Sequence, residues 1–373
     1  MNQDFIYGAD ISSLLAVEEL GGTFTNDNGE KEDFFKILKS NGFNLARIRL
    51  FVDPKTNKGV SYGAGHNDLE RALELAKRAK AHDFKVLLNI HYSDFWADEN
   101  HQTLPKAWAK LDFADLEYQV YAYTKEVVTT FKEENITLDY IQVGNEVNKG
   151  ILWPHGKLFR RKKATQTEYD ALAILLNAGI KAIREVTPNV KIMIHLGQGS
   201  NPEMYADFLH FMEPRLFKFD AIGLSYYPYI HRQITELQAT LLFIKTYYPY
   251  ERFIVETSYP FENGDETSIV NKDSFPPKRG FFAYTPLGQE RVLETILDAA
   301  VEEQITGLCY FEPGWINVNG LTVATTEGIK YLKEKNIKAG STLFNEALFS
   351  RSGRPNPALS VKNNMDAFKK SDN

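Results

Sequence analysis

Cysteine is all but missing from this sequence. Cys309 stands alone among 373 residues, which excludes an intrachain disulfide and argues against a cysteine-based metal site. Its neighbours, Gly307-Leu308 and Tyr310-Phe311, suit an inert core thiol better than a nucleophile. Positive charge is not in excess. The net charge of −6 gives no electrostatic reason to bind nucleic acid or an anionic membrane. The one basic run, Arg160-Arg161-Lys162-Lys163, falls between predicted elements and reads as a solvated loop. No apolar stretch is long enough to span a bilayer. The first residues, Met1-Asn2-Gln3-Asp4-Phe5, have neither a charged n-region nor an apolar h-region. The chain as given is expected to stay in the cell, or to be secreted if a leader was removed. A G-x-G-x-x-G turn, internal repeats, low-complexity tracts and Pro/Gly linkers are also missing, which disfavours an open dinucleotide-type sheet.

What is present is an alternation. Hydrophobic residues make up 43% of the chain and charged ones 25%, an ordinary globular balance. Short runs of Val, Ile, Leu and Phe at 5–11, 45–51, 84–91, 139–146, 190–196, 219–227, 252–257 and 305–312 read as strands. Several are almost wholly apolar, as parallel strands covered on both faces are. Helical patterns lie between them, at 33–41, 68–82, 113–134, 167–186 (stopped by Pro188), 235–247 and 287–304, with 326–336 and 342–349 as the last elements. Eight strands alternating with eight helical segments predict an α/β fold, a closed (β/α)₈ TIM barrel. It is read as one domain over residues 1–373, with its core at about 5–360.

In such a barrel, chemistry collects at the carboxyl ends of the strands. There the sequence offers Arg47 and Arg49, His91 with Asp94, Asn145-Glu146, His195, Tyr226-Tyr227, Glu256, and Glu312 followed by Trp315. Glu146 and Glu256 each leave an apolar strand, and a carboxylate so placed must be paired or hydrogen-bonded. Arg49 and His91 are the expected partners, with Arg49 holding Glu256 ionised. Two opposed carboxyls serve glycoside hydrolysis, one protonated to assist the leaving oxygen and one ionised to attack or to activate water. Asn145 is placed to hydrogen-bond a sugar hydroxyl. All four tryptophans, Trp96, Trp108, Trp153 and Trp315, fall in loops after strands, where flat rings suit the apolar faces of pyranoses.

Several motifs carry a family resemblance. Gly8-Ala9-Asp10-Ile11-Ser12, Arg47-Ile48-Arg49-Leu50, His91-Tyr92-Ser93-Asp94-Phe95-Trp96-Ala97-Asp98, Pro105-Lys106-Ala107-Trp108 and Gln142-Val143-Gly144-Asn145-Glu146 run in order along the chain. Leu152-Trp153-Pro154, Gly223-Leu224-Ser225-Tyr226-Tyr227-Pro228, Val255-Glu256-Thr257-Ser258-Tyr259-Pro260 and Glu312-Pro313-Gly314-Trp315-Ile316 complete the set. Together they resemble the endo-β-1,4-galactanases of glycoside hydrolase family 53. The resemblance implies a (β/α)₈ barrel that hydrolyses internal bonds of β-1,4-galactan, the backbone of type I arabinogalactan, with retention. It implies that Glu146 is the acid/base and Glu256 the nucleophile. Substrate contacts are expected from Arg49, His91, Asp94, Trp96, Asn145, Trp153, His195, Tyr226, Tyr227 and Trp315.

The sequence departs from the family pattern at Asn89, Phe51, Phe311 and Ile230, all expected at the cleft. No cofactor is required. Some bacterial members hold calcium in an acidic loop after the seventh strand, and here that loop, Phe261–Thr267, makes Asp265 a thin candidate ligand. A monomer is expected. Two other readings stay open at this stage: a retaining endo-β-mannanase or β-glucanase, and a non-catalytic carbohydrate-binding barrel.

Overall fold

The apolar runs form β1 (Ile6–Asp10), β2 (Leu45–Leu50), β3 (Lys85–Ile90), β4 (Tyr140–Val143), β5 (Lys191–Leu196), β6 (Ala221–Ser225), β7 (Glu251–Glu256) and β8 (Gly307–Tyr310). In the computed structural model, which describes residues 5–277, 282–333 and 337–371, each strand pairs with the next and β8 closes on β1. Every pairing in the ring is parallel. Closure removes the exposed edges that eight parallel strands would otherwise leave.

Side chains alternate across the barrel wall. Ile6, Leu45, Leu87, Tyr140, Met193, Ala221, Phe253 and Cys309, one from each strand, fill the interior as a separate apolar cluster. Cys309 is therefore a core thiol, which burial pushes up to about 12. Gly8 belongs to this layer because a Cβ there would lie 2.6 Å from Cys309 Sγ. Outward residues such as Ala46, Ile48 and Leu88 pack instead against the surrounding helices in a second, larger cluster.

The helices begin where capping chemistry dictates. Asp33, Asp68 and Asp112 accept backbone N–H groups at the starts of Phe34–Ser40, Leu69–Ala81 and Phe113–Glu133, and Thr165 with Glu168 forms a capping box before Gln166–Val186. Ile234–Tyr247 and Pro286–Glu302 also match their predicted spans. Two differences stand out. Helix Pro202–Met212 joins β5 to β6, although the sequence reading left that stretch unassigned. Its start signal, Asn201 capping Met204 with Pro202 at the first turn, is legible. Conversely, 342–349 holds only the 3₁₀ turn Phe344–Glu346. At 326–336 the helix is Thr326–Leu332, ended by Lys333 in the left-handed region; residues 334–336 lie outside the described part, as do 1–4.

Strands β4, β6 and β8 are shorter than their apolar runs. Gly144 at φ 78°, Glu146 at φ 47° and Glu312 at φ 51° leave the extended region, so pairing stops where the loops of the carboxyl face begin.

Candidate active site

Polar residues continue the inward alternation above the apolar layer. Asp10, Arg47, Arg49, Asn89, His91, Gln142, His195 and Ser225 are all buried. Arg47 is the hub. Its Nη1 donates to Asp10 Oδ2 at 2.8 Å, and its Nη2 to Glu256 Oε1 at 2.7 Å, Asn145 Oδ1 at 3.1 Å and Gln142 Oε1 at 3.2 Å. Burial works against its charge, but Glu256 and Asp10 outweigh that penalty and raise its pKa. Arg49 does not reach Glu256, contrary to the sequence expectation. It pairs with Asp10 at 3.0 Å and Glu312 at 2.5 Å, and its guanidinium lies 4.5 Å from the Trp96 ring centre. The two arginines sit two residues apart on one strand, so they share a face but differ in depth along it.

Glu256 enters the barrel mouth through an irregularity. Leu224 pairs with Ile254, but Ser225 pairs with Glu256, so β7 carries one extra residue there. Strict alternation from Phe253 and Val255 would aim Glu256 outward; the bulge turns it in. It accepts from the Tyr227 hydroxyl at 3.0 Å and Ser225 Oγ at 3.3 Å in addition to Arg47. A carboxyl ringed by donors is set up to be the acceptor-only carboxylate.

Glu146 has different surroundings. Burial above all, and then the charge of Glu256, hold its carboxyl well above the usual range, with Asp98 and Glu99 adding to the effect. Its Oε2 accepts from the Glu99 backbone N–H at 3.4 Å. Gly197 leaves it room, since a Cβ there would sit 3.1 Å from the carboxyl. One oxygen of Glu146, one of Glu256 and a ring nitrogen of His195 lie within 4.8 Å of one another.

His195 links the two halves. Burial, then Arg47, keep its pKa well below normal, so the ring is neutral. Its Nδ1 lies 2.9 Å from the Gln142 amide nitrogen and 3.0 Å from Asn145 Oδ1, and its Nε2 lies 2.9 Å from Ser225 Oγ. Ser225 can donate to Glu256. His91 is likewise held neutral by burial and by Arg49; it accepts from the Ala97 N–H and so anchors the loop after β3. Asn89 donates to Asn145 Oδ1 at 2.9 Å, and Asn145 donates to the Ala97 carbonyl.

Other expected contacts divide by burial. Tyr227, Trp96 and Trp153 are partly open. Tyr226, Asp94 and Trp315 are buried: Tyr226 donates to the Arg232 carbonyl, and Asp94 accepts from Lys106. Trp315 packs in the core. Trp108 is buried against Tyr123, so two of the four tryptophans, not all four, border open space. Phe51 is buried too, edge-on to His91. The half-open Phe311, 6.2 Å from Tyr227, takes its place in the cleft wall. Asp10, Gln142 and Ser225 were missed as site residues, and Arg47 was placed at its strand end without a role. Counting by twos from the inward apolar layer finds all four, Asp10 from Ile6, Arg47 from Leu45, Gln142 from Tyr140 and Ser225 from Ala221.

The acidic loop after β7 does not fit calcium. Arg351 Nε lies 2.6 Å from Glu262, and its Nη1 3.6 Å from Asp265 Oδ2. The other Asp265 oxygen accepts from the Thr267 hydroxyl and backbone. A guanidinium thus fills the role a cation would have, and among the described residues of this loop six to eight free oxygens are not assembled. A cavity of about 630 Å³ opens at the other end of the barrel, around Phe131, Ile136, Pro188 and Lys191. That face of the fold serves stability rather than chemistry.

Residues 6–362 match the profile of Glycosyl hydrolase family 53. An endo-beta-1,4-galactanase of Bacillus subtilis (strain 168) is 33% identical over 385 residues, spanning 97% of this chain and 86% of the relative. The arabinogalactan endo-beta-1,4-galactanase A of Aspergillus niger is 36% identical over 323 residues, spanning 83% and 85%. Among solved structures, the Ignisphaera aggregans GH53 catalytic domain superposes with a TM-score of 0.87 at 33% identity, covering 97% of this chain and 96% of that one.

Proposed function

Because this chain belongs to glycosyl hydrolase family 53 and is a glycoside hydrolase, we propose that it cleaves internal β-1,4-galactosidic bonds of galactan and type I arabinogalactan with retention of configuration. The family match over residues 6–362 carries the substrate in this reading, and the approach of Glu146 to Glu256 supports retention. Retaining enzymes hold their carboxyls about 5–5.5 Å apart, whereas inverting ones need roughly 6.5–9.5 Å to admit water. An oxygen-to-oxygen approach within 4.8 Å suits the former.

In the first step a Glu256 oxygen attacks the anomeric carbon. The glycosidic C–O bond breaks, and Glu146 gives its proton to the departing oxygen. Arg47, Tyr227 and Ser225 release density on Glu256 as it becomes an ester. In the second step Glu146, now a carboxylate, takes a proton from water. The water oxygen bonds to the anomeric carbon and Glu256 leaves with its electron pair. Asn145 has a second amide hydrogen to offer the 2-hydroxyl. None of these steps needs a metal or cofactor.

Galactan is preferred over mannan or β-glucan because the curated relatives that span most of this chain bear galactanase names. Incubation with linear β-1,4-galactan, mannan and barley glucan, with product sizing, tests enzyme class, sugar and endo action together. Mixed galacto-oligosaccharides from galactan alone are expected, and product from only mannan or glucan would overturn the assignment.

A further inference from the structure

A cavity of about 280 Å³ lies on the carboxyl side of the barrel, where the loops after β4 and β5 meet. Asn148, Phe159, Tyr169, Asn201, Glu203 and Asp207 line it. Its volume is near the lower end of ligand pockets, which run from about 300 to 1,000 Å³, so it suits one sugar ring rather than several.

The lining has the two halves of a sugar site. Phe159 is 44% exposed on a left-handed backbone at φ 55°, a conformation bulky residues rarely adopt. It therefore presents an apolar face to solvent instead of packing into the core. Around it stand two carboxylates able to take hydroxyl protons, Glu203 and Asp207, while Asn201 caps its helix at Met204 and donates to Gln198. Arg232, paired with Glu203 at 3.1 Å, adds a donor at the rim.

Position gives the cavity its side of the reaction. Glu256 stands on β7 and Glu146 at the end of β4, so a bond held between them sends its leaving portion toward Glu146. Asn148 lines the cavity, donates to Glu99 at 3.1 Å and accepts from Gly197 at 3.1 Å. The Glu99 backbone N–H donates to the Glu146 carboxyl at 3.4 Å, and Gly197 leaves that carboxyl the space a side chain would fill. One layer of residues thus separates the cavity from the proton donor.

We propose that this cavity is a distal subsite for a galactosyl ring of the leaving-side chain, stacked on Phe159 and hydrogen-bonded to Glu203 and Asp207. The proposal rests on the galactanase reading. The site would favour substrates whose leaving portion extends several sugars past the cleaved bond.

The test compares reducing-end-tagged β-1,4-galacto-oligosaccharides of increasing length with an aryl galactobioside, whose leaving group cannot reach the cavity. Wild type, Phe159→Ala and Asp207→Ala are assayed, with thermal melts to confirm folding. The ratio of kcat/KM for the long substrate over the aryl one is expected to fall roughly fivefold in each variant, the scale of one lost aromatic contact. Cleavage should also shift toward the reducing end. An active wild type with an unchanged ratio and bond map in both variants overturns the subsite alone. A wild type that leaves galactan intact overturns the galactanase reading and the subsite with it.

Discussion

Arg47 Nη2 lies 2.7 Å from Glu256 Oε1, with both groups buried. A single guanidinium thereby ties the carboxylate on β7 to Asp10 on β1 and to Gln142 and Asn145 on and after β4. Arg49, one step further along the same strand, serves Asp10 and Glu312 instead.

This division predicts different phenotypes for the two arginines. Arg47→Lys keeps the charge, but one ammonium cannot span four partners. A loss of roughly 10²-fold or more in kcat, with a smaller change in KM, is expected, on the scale of losing a preorganised donor. Arg49→Lys should act mainly on the melting temperature. Steady-state kinetics and melts of both variants decide it, and a larger kcat loss in Arg49→Lys would contradict the geometry.

Glu256→Ala should abolish turnover of galactan. Azide, small enough to enter the space left, should then restore cleavage of an activated aryl galactoside and give a glycosyl azide of inverted configuration. Failure of rescue, with the variant folded, argues against a covalent nucleophile.

Glu146 is held protonated into a higher pH range than a free carboxyl by burial and by Glu256. Loss of its proton should therefore set the alkaline limb of kcat/KM. Glu146→Ala should lose roughly 10²–10⁴-fold on galactan, far less on a dinitrophenyl glycoside, and should lose the alkaline limb. Equal collapse on both substrates would reassign the residue.

Glu346 lies outside the cleft, buried with Ser258 and Tyr229 as donors, and burial raises its pKa to about 7. Its folded value exceeds the unfolded one, so the fold binds this proton more tightly. The stabilisation is complete below about pH 4.5 and is lost as pH rises through about 7, a span of roughly 3 kcal/mol. Glu312, also raised to about 7 mainly by burial, acts in the same sense. Glu346→Gln should flatten the decline of melting temperature between pH 5 and 8. A variant as pH-dependent as wild type would show that Glu346 is not the source.

With Arg351 set between Glu262 and Asp265, chelation should leave stability unchanged. Melting curves with EDTA and with added calcium are expected to coincide, and a rise of several degrees with calcium would show that the loop takes the ion after all.

The sequence alone determined the architecture, because a fold of this kind is written in local periodicity. Apolar runs, helical spacing and caps are short-range signals, and eight alternations leave a closed barrel as the simplest way to bury both faces of every strand. The placement of Glu146 and Glu256 was legible for the same reason, since both are carboxyls at the ends of apolar strands. Three things were decided only by the tertiary structure. The first is the inward turn of Glu256, which depends on one extra residue in β7 opposite Ser225. The second is the choice of Arg47 over Arg49, set by depth along β2. The third is which aromatic rings face open space: Trp96 and Phe311 do so in part, while Trp108 and Trp315 are buried. Each depends on the register between strands far apart in the chain, and no local pattern encodes that distance.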